Sequence, residues 1–256
     1  MRTSVTLEQV GALLSGSLHN PSDLLGPREI TVDGRRALAV RAFLPETKQA
    51  WLLPNDQQAA RPMRRIHPAG LYEAICPLDD AHPRRPYQLR LANKEGAMTT
   101  QHDPYYFEPY LSDFDLHLFG EGKFLKGYEK LGAQPREIDG VQGINFAVWA
   151  PNAQAVNLVG DFNHWDGRRH PLRKHRTGGV WELFIPEMKV GEHYKYRVKS
   201  QWGETMDKTD PYGFAAELPP RTASIVADLN QFSWQDQDWL QRRDRKSTRL
   251  NSSHRH

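Results

Sequence analysis

The sequence predicts an all-β protein built from two tandem immunoglobulin-like β-sandwiches, with short helical segments at the N-terminus and between the sandwiches. Three observations predict this fold class. Short runs of alternating apolar and polar residues recur about every ten residues. The 19 Gly and 18 Pro residues are scattered and mark frequent turns. Several motifs also occur twice, and a length of 256 residues accommodates two domains.

The internal repeat is the strongest of these observations. Four short motifs occur twice in the same order: residues 40–45 and 146–151, 70–73 and 179–182, 87–91 and 194–198, and 103–107 and 210–214. The offsets between the copies lie between 106 and 109 residues. Four ordered matches at nearly one offset predict a duplicated unit of about 107 residues.

Alternation within the second copy predicts half-buried strands. One face of residues 194–199 carries Tyr194, Tyr196 and Val198, whereas the other face carries three basic side chains. In residues 180–185, Trp181, Leu183 and Ile185 also share one face. Cys76 aligns with an inward position of that strand, so we expect a buried, inert thiol.

These patterns divide the chain into five parts. We predict a first sandwich over residues 1–110, a linker over 111–135 and a second sandwich over 136–228. The apolar spacing of residues 7–18 predicts a helix before the first sandwich. Residues 229–243 carry Trp234 and Trp239 in a polar surround and predict a segment that docks on a further domain. Residues 244–256 resemble a translated sequencing adapter, and we expect them to be a non-native tail.

Charge, cysteine content and hydropathy exclude several classes of function. Residues 244–256 hold four of the 34 basic and one of the 31 acidic residues, so the remaining chain is neutral and we expect no nucleic-acid partner. The single cysteine allows no intrachain disulfide. The N-terminus has no signal-peptide pattern and no apolar run reaches transmembrane length. We therefore expect a cytoplasmic protein without a membrane partner.

The candidate site is a set of turn aromatics in the second copy. Trp165 follows a predicted strand on a polar turn, and Trp202 lies in a predicted hairpin turn. Exposed indole faces suit the flat C–H faces of sugars, and Lys195 and Asn163 could bind hydroxyl groups. The alternatives are that Trp165 belongs to the core and that Lys195 lies on a solvated strand face. The first copy has no such turn and carries Trp51 inside a strand, so we expect it to be a structural spacer.

No catalytic, metal-binding or cofactor-binding motif accompanies this set. The spacing of His164, His170 and His175 matches no ligand pattern, and we expect surface histidines. Asp161 and Asp166 lie in a turn, where Asp commonly bonds the local backbone. The chain has neither a Gly-rich phosphate loop after a strand nor a nucleophile motif.

Several segments together resemble bacterial 1,4-α-glucan (glycogen) branching enzymes. The resemblance covers about residues 7–243 and is carried by residues 114–132, 140–153, 160–171, 191–197, 208–214 and 217–223. It implies an N-terminal sandwich followed by a carbohydrate-binding module of family 48. The family's catalytic carboxylates lie in a later (β/α)8 barrel of the α-amylase class, so the resemblance implies that this chain lacks them.

The resemblance also implies a ligand. In related family-48 modules the glucan-contacting positions fall on Trp165, Lys195 and Trp202 of this sequence. The implied partner is an α-glucan such as glycogen or a maltooligosaccharide, and the full-length enzyme would be monomeric. Three alternatives stay open: a non-catalytic glycogen-binding regulatory protein, the N-terminal part of a debranching enzyme, and an adhesion-type sandwich protein.

Overall fold

A computed structural model describes residues 5–54, 59–78, 86–229 and 235–250, and residues 244–250 only as backbone. The described chain is dominated by antiparallel strands arranged in two sandwiches. The predicted all-β fold class is therefore confirmed.

The first sandwich contains seven strands: β1 (Gly26–Val32), β2 (Arg35–Phe43), β3 (Thr47–Pro54), β4 (Arg61–His67), β5 (Leu71–Pro77), β6 (Tyr87–Asn93) and β7 (Met98–Gln101). Their neighbour order is β1-β2-β5-β4-β3-β6-β7. The first half of β4 pairs with β3 and the second half with β5, so β4 passes from one sheet to the other. Tyr72, Leu89 and Val40 lie in the core between the sheets.

The second sandwich contains nine strands: β8 (Gly132–Ile138), β9 (Val141–Trp149), β10 (Ala153–Gly160), β11 (Arg173–Lys174), β12 (Val180–Pro186), β13 (His193–Ser200), β14 (Thr205–Lys208), β15 (Ala215–Ala216) and β16 (Ser224–Ile225). One sheet has the order β11-β12-β9-β8. The other has the order β10-β13-β16-β15, with β14 paired to β13. Phe146 and Tyr194 join the two sheets by an edge-to-face contact of 5.0 Å between ring centroids.

The two sandwiches repeat each other in detail. Both open with a hairpin whose Asp-Gly turn lies in the left-handed region, with φ of 50° and 75° in the first copy and 51° and 76° in the second. Both later bond a buried Tyr hydroxyl to a buried Asp. Tyr87 donates to Asp103 over 2.7 Å, and Tyr194 donates to Asp210 over 2.6 Å. The predicted duplication is therefore confirmed.

The N-terminal helix α1 (Leu7–Leu14) is shorter than the predicted span of residues 7–18. A capping box between Thr6 and Gln9 starts it. It ends because Gly16 takes a left-handed conformation, with φ of 64°, as glycine does readily. The linker helix α2 (Asp113–Gly120) also begins with a capping box, between Ser112 and Asp115.

The first unit and α1 pack on the second sandwich through one apolar cluster. Leu13 of α1, Leu24, Phe43 and Tyr105 belong to the same buried cluster as the core of the second sandwich. Arg173 of the second sandwich donates to the backbone carbonyls of Tyr105 and Phe107. Burial of this apolar surface stabilises a fixed arrangement of the two sandwiches.

Several finer predictions have mixed outcomes. Cys76 is half-buried against the first core, and burial raises the pKa of its thiol.

Strand β8 begins at Gly132, inside the predicted linker of residues 111–135. Helix α3 (Gln237–Leu250) spans the predicted junction at residue 244, and Trp239 is 57% exposed on it. Trp234 and residues 251–256 lie outside the described residues. No helix in the described ranges is both long and apolar enough to span a membrane.

Candidate functional site

The candidate site lies on the outer face of the sheet formed by β10, β13 and β14. Cross-strand partners share a face, and the register places eight residues on this one: Ala155, Asn157, Val159, Lys195, Arg197, Lys199, Thr205 and Asp207. The opposite face of β10 and β13 carries Leu158, Tyr194 and Tyr196 into the core. The predicted alternation of β13 is confirmed.

A loop of residues 161–169 folds over part of this outer face. It follows β10 and is longer than its counterpart in the first sandwich. Thirteen residues separate the bridged pair Asn157 and Pro171, whereas ten separate the equivalent pair Trp51 and Pro62. Trp165 lies within this longer segment.

Asn163 holds this loop together from inside. Its side chain is 0% exposed, its Oδ1 accepts from Gly160 N over 3.0 Å, and its Nδ2 donates to Leu158 O over 2.9 Å. Nδ2 also lies 2.9 Å from Nδ1 of His170. Burial lowers the pKa of His170 to about 4, so its neutral ring accepts this bond at pH 7. The predicted contact of Asn163 with a ligand is therefore corrected: it is a positioning residue.

Trp165 is held in a fixed orientation at the edge of the sheet. It and His164 have φ of 58° and 55°, two consecutive left-handed residues that the buried Asn163 bonds support. The indole Nε1 donates to Asp161 Oδ1 over 2.8 Å, and Arg197 donates to the backbone oxygen of Trp165 over 3.1 Å. Trp165 is half-buried and lies outside the apolar core clusters. The alternative that it is a core residue is wrong.

Lys195 lies at the same end of β13 as Trp165. Its Nζ donates to Thr222 Oγ1 over 2.7 Å, and the residue is half-exposed. His193, two residues earlier, lies 4.0 Å from Asp161 and 3.7 Å from Glu217. The Trp165 indole thus borders a group of polar side chains that present both donors and acceptors.

Trp202 lies beyond the other end of β13. It is 90% exposed at the tip of the β13–β14 hairpin, in a turn closed by a bond from Ser200 N to Glu204 O. The seven residue-to-residue steps from Lys195 to Trp202 span up to ~23 Å of extended chain. Trp165, whose indole bonds Asp161 beside His193, therefore lies toward the end of β13 that carries Lys195, and Trp202 lies beyond the other end.

Sequence reasoning missed the ion pair that lies between the two aromatic residues. Arg197 contacts Asp207 of β14 through two bonds of 2.8 and 2.9 Å, and these bonds lower the pKa of the Asp207 carboxyl. The pair neutralises the middle of the outer face. Pairing β13 with β14 across the Trp202 turn was the one signal in the sequence that could have found it.

Other titratable residues in and near the loop pair with protein groups. Asp166 accepts hydrogen bonds from the backbone N–H and the guanidinium of Arg168. Burial raises the pKa of the Asp166 carboxyl, but the bonds from Arg168 outweigh this effect, so the pKa is lowered overall. The predicted local bonding of Asp166 is confirmed. His164 lies 3.6 Å from Glu46, and His175 lies 2.6 Å from Glu182. Across the described ranges, no group of three or more His, Cys, Asp or Glu residues is placed to hold a metal ion.

Two family models match the chain over separate segments. Residues 6–105 match the model described as the alpha-1,4-glucan branching enzyme GlgB N-terminal domain. Residues 130–213 match carbohydrate-binding module 48, described as the isoamylase N-terminal domain. The second segment contains Trp165, Lys195 and Trp202.

Relatives match nearly the whole chain. The protein named 1,4-alpha-glucan branching enzyme GlgB from Rhodopirellula baltica is 46% identical over 243 residues, which cover 95% of this chain and 33% of that protein. The protein of the same name from Nostoc sp. is 46% identical over 243 residues, covering 94% of this chain and 31% of that protein. The chain spans about a third of the length of the curated relatives that it matches.

Solved structures give a weaker similarity. A pullulanase complexed with maltotriose from Anoxybacillus sp. LM18-11 matches with a TM-score of 0.35 and 16% identity, covering 78% of this chain and 27% of that chain. A TM-score of this size supports no conclusion about the fold or the ligand.

Proposed function

We propose that the chain is the N-terminal, glucan-binding part of a 1,4-α-glucan branching enzyme. Residues 6–105 match the N-terminal domain of these enzymes, and residues 130–213 match carbohydrate-binding module 48. One observation carries the binding role. A half-buried, oriented Trp165 and a 90% exposed Trp202 flank a polar strand face inside the segment that matches the module.

The chemistry of the outer face supports an α-glucan as the ligand. Glucose units present apolar C–H faces that stack on indole rings, and their hydroxyl groups need both donors and acceptors. Lys195 supplies a donor, and Asp161 supplies acceptor oxygens beside the Trp165 ring. The separation of Trp165 and Trp202 along β13 favours a chain of several glucose units over a single sugar.

The whole enzyme would use this surface to hold its substrate. It would cut an α-1,4-glucan, keep the cut segment as a covalent glycosyl–enzyme intermediate, and transfer it to a 6-hydroxyl group of an acceptor chain. This is the retaining reaction of a carboxylate pair. The carboxylates would lie in a barrel domain beyond the matched segments, so residues 1–256 alone would bind glucan without catalysis. The whole enzyme would act as a cytoplasmic monomer.

The identity to proteins named as branching enzymes favours this activity over debranching. The two relatives above are each 46% identical and carry the branching-enzyme name. The match of residues 6–105 to a branching-enzyme domain points the same way.

The test is affinity electrophoresis of the 256-residue chain in gels that contain glycogen. With two aromatic platforms, we expect a Kd of ~0.1–1 mM, which corresponds to about −4 to −5.5 kcal/mol. Trp165→Ala and Trp202→Ala should each weaken retention about tenfold, or ~1.4 kcal/mol. Trp149→Ala is the matched control, because Trp149 is 52% exposed on the other sheet of the same sandwich. Equal retention of all three variants would show that the outer face is not the glucan site.

A further inference from the structure

A groove of about 680 Å³ lies between the two sandwiches, beside the loop of residues 161–169. Its volume falls within the ~300–1,000 Å³ of ligand pockets, which commonly occur where two domains meet. The first sandwich lines the groove with the β2–β3 turn and with one face of β6 and β7. The second sandwich lines it with the loop of residues 161–169 and the β12–β13 turn. A ligand in this groove therefore contacts both sandwiches.

Two contacts between acidic and basic side chains hold the walls of the groove together. Glu46 Oε2 lies 2.8 Å from Arg169 Nη2, and Glu187 Oε1 lies 3.2 Å from His102 Nδ1. Each contact joins a residue of the first unit to a residue of the second sandwich. The groove is thus formed before any ligand arrives, and a ligand does not have to order its walls on binding.

The accessible lining of the groove suits a neutral chain rich in hydroxyl groups. Partly exposed apolar side chains line it: Leu44, Pro45, Phe162 and Met188. Exposed or partly exposed polar side chains, with charges of both signs, line it as well: Glu46, Thr99, Arg169, Glu187 and Lys189. The apolar side chains can pack on the C–H faces of sugars, and the polar side chains supply both donors and acceptors to hydroxyl groups. The mixture of charges favours neither an anionic nor a cationic ligand.

One end of the groove lies next to Trp165. Glu46 Oε2 lies 3.6 Å from Nε2 of His164, the residue that precedes Trp165. Phe162, which lines the groove, follows Asp161, whose carboxylate accepts a hydrogen bond from the Trp165 indole. The groove and the Trp165 platform are therefore neighbours within one short loop, and one glucan chain can reach both.

Resting on the proposed function, we propose that an α-glucan chain bound on Trp165 continues into this groove, and that the first sandwich binds part of the chain. A chain that rests on Trp165 then extends in two directions, toward Trp202 on the outer face and into the groove between the sandwiches. Sugar faces pack on Phe162 and Met188, and hydroxyl groups bond the polar side chains along the groove. The first sandwich is then a part of the glucan site and not only the structural spacer that its sequence predicts.

The test measures the binding of maltoheptaose and of maltotriose to the full chain by titration calorimetry. Thr99 is exposed on the edge strand β7, pairs with Leu91 and lines the groove, so Thr99→Trp fills part of the groove. This change should weaken maltoheptaose binding about three- to tenfold and leave the binding of maltotriose, which fits on Trp165 alone, within about twofold of the wild type. Thr31→Trp is the matched control, because Thr31 is exposed on the opposite edge strand, β1, away from the groove lining.

A second measurement needs no variant and separates the groove from the proposed function. In the wild type, maltoheptaose should shift the backbone amide resonances of Thr99, Gln101 and Lys189 with the same Kd as the Trp165 indole resonance. Unshifted groove amides at saturation, while the Trp165 indole shifts, would overturn the groove and leave the proposed function in place. Unchanged maltoheptaose affinity in Thr99→Trp, or an equal loss in Thr31→Trp, would also overturn the groove. A wild-type chain that binds no maltoheptaose would instead contradict the proposed function.

Discussion

Replacing Asn163 with Ala should destabilise the second sandwich by an amount that the structure sets. The Asn163 side chain satisfies Gly160 N, Leu158 O and His170 Nδ1 in a site with no solvent exposure. Each buried group left without a partner costs about 1–3 kcal/mol, and water entering the space recovers part of this cost. We expect a loss of about 2–5 kcal/mol in the free energy of unfolding.

Urea unfolding followed by tryptophan fluorescence measures this loss. The control is Asn152→Ala, which changes an exposed turn residue and should stay within about 0.5 kcal/mol of the wild type. Because Asn163 positions the loop that carries Trp165, Asn163→Ala should also weaken glucan binding at temperatures where the chain remains folded. A loss below about 0.5 kcal/mol for Asn163→Ala would refute the view that this residue holds the loop.

Two further predictions concern the same loop and its surroundings. The pKa of His170 is depressed from 6.5 to about 4 in the folded chain, so the stability that its neutral ring contributes is complete above pH 6.5 and is lost as the pH falls toward 4. The free energy of unfolding, measured with urea across this pH window, should fall by up to ~3 kcal/mol. His170→Gln should flatten this pH dependence, and an unchanged pH dependence in the variant would contradict a buried neutral ring. Gly160→Ala should lower thermal stability strongly, because a Cβ at this position collides with His193 O and the Phe162 ring. Gly11→Ala in α1 is the control: a Cβ there meets nothing within 4 Å, and the change should raise stability by roughly 0.5–1 kcal/mol. Equal changes in the calorimetric Tm of the two variants would contradict this packing.

The sequence was sufficient to predict the two sandwiches because the repeat appears as both residue identity and strand periodicity. The paired motifs containing Asp103 and Asp210 occupy equivalent buried positions and accept from equivalent Tyr hydroxyls. The faces of β13 followed from alternation alone. The outer position of Lys195 and the inner positions of Tyr194 and Tyr196 were predictable for the same reason.

The roles of Asn163 and α1 were not predictable from local pattern. An Asn in a polar turn is usually exposed, and its burial here depends on the loop folding back over β10 toward His170. The end of α1 meets Asn157 across 141 residues of chain. Contacts of that separation leave no periodic signal in the sequence. The distance between Trp165 and Trp202 likewise required the strand register.

The most direct measurement of the central claim is the response of the indole resonances to a glucan. The chain has seven Trp residues, each with one indole N–H. On titration with maltoheptaose, the Nε1–H signals of Trp165 and Trp202 should shift with the same Kd, while those of the buried Trp181 and of Trp149 on the other sheet should stay in place. Unshifted signals of Trp165 and Trp202 at saturating maltoheptaose would contradict a glucan site on this face.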